Sequence, residues 1–251
     1  MSYPTIKLRR GKEESLGRFH PWVFSGAIAT LPDGLEEGDV VGVIAADGTP
    51  LGVGHFQIGS IAVRMLSFDA DASIDEEFYR QRLADALRMR QVLGLRRHDN
   101  NAFRLVHGEG DFLPGLVVDV YGDTAVIQAH SPGMHYARHT IANVLTGMPE
   151  AGIHNIYYKS ETTLPYKARL DPVNDYLIGH ADTDVAIENS LKFHVDWLRG
   201  QKTGFFVDQR DNRALLGKYA AARRVLNMFC YTGGFSVYAL AGGAASVTSV
   251  D

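Results

Sequence analysis

The stretch from Val225 to Asp251 leaves this chain the fewest choices. An apolar run, Val225-Leu-Asn-Met-Phe-Cys-Tyr231, enters a tight turn at Thr232-Gly233-Gly234. A helix-compatible segment, Phe235 to Ala241, follows and is closed by Gly242 and Gly243. A β-branched run from Ser246 to Val250 then leads to Asp251. Strand, glycine turn, helix and strand in this order open a Rossmann-like parallel sheet. A carboxylate about 20 residues after such a turn is placed to hydrogen-bond the hydroxyls of a ribose. The chain is therefore expected to carry a nucleoside cofactor.

Composition excludes several other classes. With 45% hydrophobic and 22% charged residues, the 251-residue chain has the balance of a folded protein with room for two or three domains. No apolar run approaches the ~18 residues of a membrane helix, so no membrane partner is expected. The start, Met1 to Arg10, lacks the apolar core and cleavage site of a secretory signal. The single cysteine, Cys230, cannot form an internal disulfide, which fits a reducing cytoplasm. A net charge of -4 argues against indiscriminate nucleic-acid coating but permits a local basic surface.

Three textures follow one another. From Tyr3 to about Phe68, short strands alternate with glycine turns, the pattern of a small β-barrel. Val40–Ile44 and Pro50–Gly54 flank a turn at Ala46-Asp47-Gly48 and predict a hairpin. A helix is predicted next, with Ser73 as its cap and Phe78, Leu83, Leu87 and Val92 along its apolar face, ending at Gly94. Strands are predicted at Phe103–His107, Gly115–Val120, Thr124–Ala129 and Ile153–Lys159, with a helix over Tyr136–Leu145 bounded by Gly133 and Gly147. This is an α+β pattern. Asp184–Glu188 and Leu191–Asp196 alternate around Asn189-Ser190 and predict a second hairpin. A helix through Ala214, Leu216, Tyr219 and Ala222 is predicted to carry Arg223 and Arg224 in its last turn.

The turn itself discriminates among cofactors. It lacks the G-x-G-x-x-G spacing that brings backbone amides to a pyrophosphate, and Phe229 and Tyr231 stand where a dinucleotide binder would want glycine. S-adenosylmethionine needs no phosphate cradle, and its sulfonium tolerates aromatic faces. It therefore fits better than NAD. Cys230 reads as a buried core thiol near the end of an apolar run. His130, His135 and His139 lack the further ligands that a zinc site needs, so no metal is expected. His107-Gly-Glu-Gly-Asp111 reads as turn chemistry.

Two motifs together carry a family resemblance: Lys202-Thr-Gly-Phe-Phe-Val-Asp-Gln-Arg-Asp-Asn-Arg213, then Val225-Leu-Asn-Met-Phe-Cys-Tyr-Thr-Gly-Gly-Phe-Ser236. The chain resembles the bacterial S-adenosylmethionine-dependent large-subunit ribosomal RNA (cytosine-5) methyltransferases throughout its length. The resemblance implies a PUA-like RNA-binding barrel at 1–70, a central α+β domain at 73–182, and the opening of a Rossmann-like methyltransferase domain at 183–251. It places Asn227, Phe229, Tyr231 and Gly233 in the first cofactor motif, Asp251 at the ribose, and Gln209 and Arg210 beside that pocket. Ribosomal RNA is the implied partner, in the cytoplasm, and a homodimer is left open.

In this family the cysteine nucleophile attacks C6 of the pyrimidine so that C5 accepts the methyl group, and it lies in later motifs beyond position 251. No catalytic residue is therefore assigned, and the chain on its own is expected to be inactive. The alternative is a non-catalytic RNA-binding module. Lys7, Arg9, Arg10, Lys12 and Arg18, interleaved with Phe19, Trp22 and Phe24, are the RNA-facing candidates. Trp22 and Phe24, at strand spacing, are nonetheless read as one buried face of the barrel. Arg88, Arg90, Arg96, Arg97 and His98 read as compensation at a helix end.

Overall fold

The computed structural model describes residues 3–170, 172–181 and 183–251. The N-terminal part is a six-stranded sheet built from β1 (Thr5–Leu8), β2 (Trp22–Phe24), β3 (Ile28–Thr30), β4 (Val40–Ile44), β5 (Pro50–Phe56) and β6 (Ile61–Ser67). Its order is β2-β6-β5-β4-β1-β3. Alternation builds its core: Ile6 and Leu8, Val41 and Val43, and Val63 and Met65 face one cluster. The sheet is curled and open, since β2 and β3 stand at opposite ends of that order. The β4–β5 hairpin forms as the glycine turn predicts. Trp22 and Phe24 do not form a buried face. Val23 between them is buried, so the two rings point outward, and Phe24 is 48% exposed.

The middle part holds α1 (Glu76–Val92), α2 (Pro132–Tyr136) and α3 (Arg138–Thr146) with β7 (Ala102–His107), β8 (Leu116–Tyr121), β9 (Thr124–Ala129), β10 (Asn155–Tyr158) and β11 (Asp175–Ile178). The five strands run in the order β11-β10-β9-β8-β7, with only β9 and β10 parallel. Successive residues point to opposite faces of a strand, and here both faces are covered. Phe103, Val118, Val120, Ile127 and Tyr158 pack on Leu83, Leu87, Ile141 and Leu145 of the helices. Tyr121, Val126 and Tyr157 pack on a second layer supplied by later residues.

Three helix expectations need correction. The cap of α1 is Asp75, whose Oδ1 accepts the Phe78 N–H at 3.0 Å, and not Ser73. Val92 is 80% exposed, so the buried face of α1 ends at Leu87 and its helical turns run on past the sheet they cover. The helix predicted over 136–145 is two helices meeting at Ala137. Gly133 lies inside the first of them, because a Cβ there would stand 2.2 Å from the His55 ring.

The last part opens with the hairpin of β12 (Val185–Glu188) and β13 (Leu191–His194). Asn189 and Ser190 both take positive φ, 49° and 67°, as a tight hairpin turn that follows the strand twist requires. Then come α4 (Arg210–Tyr219), β14 (Arg224–Met228), α5 (Gly234–Ala241) and β15 (Ser246–Val250). The helix before β14 stops at Tyr219, and Ala222 turns the chain at φ 57°. Arg224 therefore begins a strand instead of ending a helix, and Lys218 is the cation of the last turn. α4 and α5 pack closely, since a Cβ at Gly242 would sit 2.1 Å from the Gly217 carbonyl oxygen. Among the described residues β14 and β15 pair only with each other, in parallel, and Leu226 and Met228 stay at least half exposed. No helix among the described residues is long and apolar enough to cross a membrane.

The joint between the N-terminal sheet and the middle domain buries His55 of β5 against Gly133. Burial pushes its imidazole from an ordinary 6.5 down to about 4. Its Nδ1 has no hydrogen-bond partner among the described residues. The unfolded chain binds this proton more readily than the folded one, so stability is full above pH 6.5 and falls as pH drops towards 4. His55 alone is expected to contribute about 3 kcal/mol of that loss. Urea unfolding across this window should show a flatter fall for His55→Leu than for wild type; parallel curves would contradict it.

Candidate cofactor site

β14 ends at Met228 and not at Tyr231, because Phe229 and Tyr231 adopt left-handed backbone conformations with φ of 58° and 47°. Each costs an aromatic residue roughly 1–2 kcal/mol relative to a relaxed conformation. These are the two positions where glycine is missing, so the chain makes a glycine-like bend with large side chains. Three contacts hold the bend. The Cys230 N–H donates to the Val250 carbonyl at 3.1 Å, extending the ladder by one residue. The Tyr231 N–H donates to Asp251 Oδ1 at 2.9 Å. The Gly233 N–H closes back on the Cys230 carbonyl at 2.8 Å and starts α5 at φ 71°.

Side chains tie the same unit together. Asn227 Nδ2 donates to Ser236 Oγ at 2.9 Å, and Ser236 Oγ lies 2.6 Å from Ser249 Oγ, so β14, α5 and β15 share one polar seam. The Tyr231 hydroxyl accepts the Gln201 N–H at 2.9 Å and donates to the Gly204 carbonyl at 3.2 Å. Its ring packs edge-on against Phe206 at 5.4 Å. The Phe229 ring, in contrast, is 87% exposed. Cys230 is not a core thiol: the bend takes it out of the strand, and it is only partly buried.

The segment before α4 clasps this unit to the middle domain. Thr203 Oγ1 donates to Asp119 Oδ2 at 2.6 Å, and the Arg104 guanidinium grips the same buried carboxylate through two bonds of 2.8 and 2.9 Å. The Asp119 carboxylate holds the Arg104 guanidinium charged, above its ordinary range. The Tyr121 hydroxyl lies 3.0 Å from Thr203 Oγ1, and burial pushes that phenol well above its ordinary range. Lys159 Nζ donates to the Gly200 carbonyl at 2.5 Å. Gly204, at φ 111°, passes so close to Asp196 that a Cβ would stand 2.9 Å from its carbonyl oxygen.

A second buried carboxylate, Glu188, lies at the end of β12. Arg213 reaches it through two bonds of 2.8 and 2.7 Å, and the Tyr238 hydroxyl donates to it at 3.0 Å. Burial first, and the Glu188 charge next, push the Tyr238 phenol upward. This cluster joins α4, α5 and the hairpin.

Asn227, Phe229, Tyr231, Gly233 and Asp251 therefore meet at one end of the β14–β15 pair. Gln209 and Arg210 lie elsewhere, at the start of α4. Gln209 exchanges hydrogen bonds with Asp208 and Asn212, at 3.0 and 2.9 Å. The Arg210 guanidinium donates to the Ala102 carbonyl at 3.0 Å and stands 3.8 Å from Glu188. It also lines a cleft of about 560 Å³ with Met89, Leu93, Arg104 and His107. Asp119, Glu188, Thr203 and Arg213 were not read from the sequence. The usable signal was a lone acid inside an otherwise apolar strand, Val118-Asp119-Val120. The basic group around the end of α1 is engaged: Arg90 pairs with Asp111, Arg96 donates to the Ala151 carbonyl, and Arg97 pairs with Asp99 and donates to Asn189 of the hairpin. His107-Gly-Glu-Gly-Asp111 is a 3₁₀ turn with Asp111 accepting the His107 N–H at 2.6 Å.

A family profile described as an S-adenosylmethionine-dependent methyltransferase matches residues 105–251. The chain belongs to that family. A PUA-like domain profile matches residues 6–68. The chain is 41% identical over 249 residues to a ribosomal RNA large subunit methyltransferase I from Pseudoalteromonas atlantica. It is equally similar, over 250 residues, to the protein of that name from Shewanella amazonensis. Each match covers 98% of this chain and 62% of the relative, so the chain spans about three-fifths of the length of these curated relatives. A structure from Streptococcus mutans, described as a SAM-dependent methyltransferase, shares the fold with a TM-score of 0.80 at 24% identity, over 99% of this chain and 63% of its own. A second, of a methyltransferase complexed with SAH, gives the same score and identity over 100% of this chain and 63% of its own. S-adenosylmethionine is the cofactor of this fold.

Glu188 is the buried carboxylate whose loss leaves the most deeply buried cation, Arg213, unpaired. Glu188→Ala leaves Arg213 buried without its partner, and the expected cost is about 3–5 kcal/mol. Urea unfolding monitored by tryptophan fluorescence measures it. A loss below about 1 kcal/mol would show that water replaces the carboxylate.

Proposed function

We propose that this chain is the RNA-recognising and cofactor-binding portion of an enzyme that transfers a methyl group from S-adenosylmethionine to C5 of a cytosine in large-subunit ribosomal RNA. Its working parts in this reading are residues 1–70 for RNA contact, 73–182 as the frame, and 183–251 for the cofactor. The observation that carries the cofactor half is the Asp251 contact. Its Oδ1 is occupied by the Tyr231 N–H, which fixes the carboxylate at the end of β15. Oδ2 is then oriented for a ribose hydroxyl. The RNA half rests on the names and 41% identity of the relatives, together with the PUA-like profile.

The residues present fit this cofactor. A ribose would meet Asp251, and an apolar or cationic group would meet the exposed Phe229 ring. Large side chains at 229 and 231 occupy the approach that a pyrophosphate would need. Asn227 ties β14 to α5 through Ser236, which orients its amide at the cofactor end. Gly233 supplies the left-handed start of α5. Arg210 would act through the α4 start, by holding the clasp against Ala102 and Glu188, and Gln209 by fixing that start through Asp208 and Asn212. When bound, S-adenosylmethionine supplies an electrophilic methyl group on a sulfonium. Cys230 sits in the cofactor bend with its thiol 3.9 Å from the Tyr231 carbonyl, so we assign it no part in attacking the base. The place of action in this reading is the cytoplasm, and the reading is neutral between a monomer and a homodimer.

Titration calorimetry separates the cofactors. S-adenosylmethionine should bind and NAD should not, and Asp251→Ala should weaken S-adenosylmethionine by about 1.5–3 kcal/mol, the worth of hydrogen bonds to a charged group. The full-length protein should then pass a labelled methyl group to cytosine in large-subunit ribosomal RNA. Equal affinity for both cofactors, or methylation of another base, would contradict the proposal.

A further inference from the structure

The N-terminal sheet carries an aromatic group that the cofactor site does not use. His20, Trp22 and Phe24 cluster on its outer surface, with ring centroids 5.7 Å apart for His20 and Trp22 and 6.3 Å for Trp22 and Phe24. Isolated exposed rings need no explanation, but Trp22 and Phe24 of this group border a concavity. A cavity of about 320 Å³ has Leu8, Leu16 and Val23 as its floor, Trp22 and Phe24 as walls, and Lys12 on its rim. That is the size of a site for one small flat ligand.

The wall is rigid. Trp22 Nε1 donates to Glu109 Oε1 at 2.8 Å, and Arg64 binds the same oxygen at 2.9 Å while lying over the indole ring. A ring held from behind by another domain loses little freedom when something stacks on it. The surroundings are cationic. Between Lys7 and His20 there are five Lys or Arg residues against two Glu, in a chain whose net charge is -4.

We propose that this cavity takes an unpaired nucleobase of the RNA, stacked at Phe24 and Trp22, with Lys12 meeting the adjoining phosphate. The inference rests on the RNA reading above and adds to it a subsite and a preference for unpaired over paired RNA. A duplex presents no free base face, whereas every unpaired base presents a π-face to an aromatic wall. Lys12 on the lining, in a segment with more cations than acids, favours a polyanion over an apolar helix as the occupant.

The test is an anisotropy titration of the chain with a short unpaired oligoribonucleotide and with the same sequence as a duplex. Phe24 is solvent-facing, so Phe24→Ala should keep the fold, which circular dichroism verifies. It should weaken the unpaired RNA by about 5- to 100-fold, the range for one lost stacking partner, and leave the duplex unchanged. Lys12→Glu, also exposed, should weaken binding and lower the salt slope by about 1. Full affinity for unpaired RNA in both variants overturns the subsite and leaves the RNA substrate standing. Wild-type chain that binds S-adenosylmethionine but neither RNA form overturns the substrate reading as well.

Discussion

Two carboxylates with no solvent exposure, Asp119 and Glu188, hold the rest of this molecule in register. A buried carboxylate is tolerable only when its lone pairs are matched, because the loss of hydration costs several kcal/mol. Asp119 is matched by Arg104 from its own sheet and by Thr203 from the segment leading to α4. Glu188 is matched by Arg213 of α4 and Tyr238 of α5. The Asp119 cluster reaches across to the last part through Thr203, and the Glu188 cluster joins the hairpin to α4 and α5 within that part. Separating the hairpin from α4 would strand the Glu188 charge, and separating the middle sheet would leave a buried Asp119 oxygen without its Thr203 partner. The motif from Lys202 to Arg213 works as this docking device, and the cofactor bend inherits its position from it.

The bend is where local rules and the observed backbone disagree. Phe229 and Tyr231 occupy conformations that glycine takes at no steric cost. The compensation is visible for Tyr231, whose hydroxyl, ring and amide are all engaged. It is not visible for Phe229, whose ring faces solvent. Strain kept without local repayment is characteristic of positions that act on a ligand. That makes Phe229 the most informative residue of the bend.

Legibility followed the kind of signal. The hairpin at Asn189-Ser190 was readable because only a few residue types accept two successive positive φ values. The strand–turn–helix–strand unit was readable from periodicity, and the PUA-like sheet from its spaced glycine turns. Strand ends were not. Nothing in the residue types of Phe229 or Tyr231 announces a left-handed backbone, so β14 was drawn too long. Ser73 and Asp75 are both good caps, and only the chain direction chooses Asp75. Val92 kept the helical phase after α1 had passed the sheet it covers. The outward turn of Trp22 and Phe24 was unreadable for a related reason: alternation shows that two residues share a face but not which face is covered. The two buried acids escaped because a charge on a strand normally marks the solvent side, and here a second layer covers that side.

Strand β7 converts these contacts into a fixed spacing. Its first residue, Ala102, offers its carbonyl to Arg210, and its third, Arg104, grips Asp119. Just past its end, Glu109 holds Trp22 and Arg64 of the N-terminal sheet. An extended chain rises about 3.3 Å per residue, so β7 spans roughly 17 Å between the Ala102 anchorage and the turn that carries Glu109. That strand is paired to β8 and packed under α1, which leaves it no slack. The aromatic slot and the cofactor bend are thereby attached to opposite ends of the same rigid rod. A nucleic acid gripped at the N-terminal sheet would be presented to the cofactor unit at a distance that β7, and no flexible linker, defines.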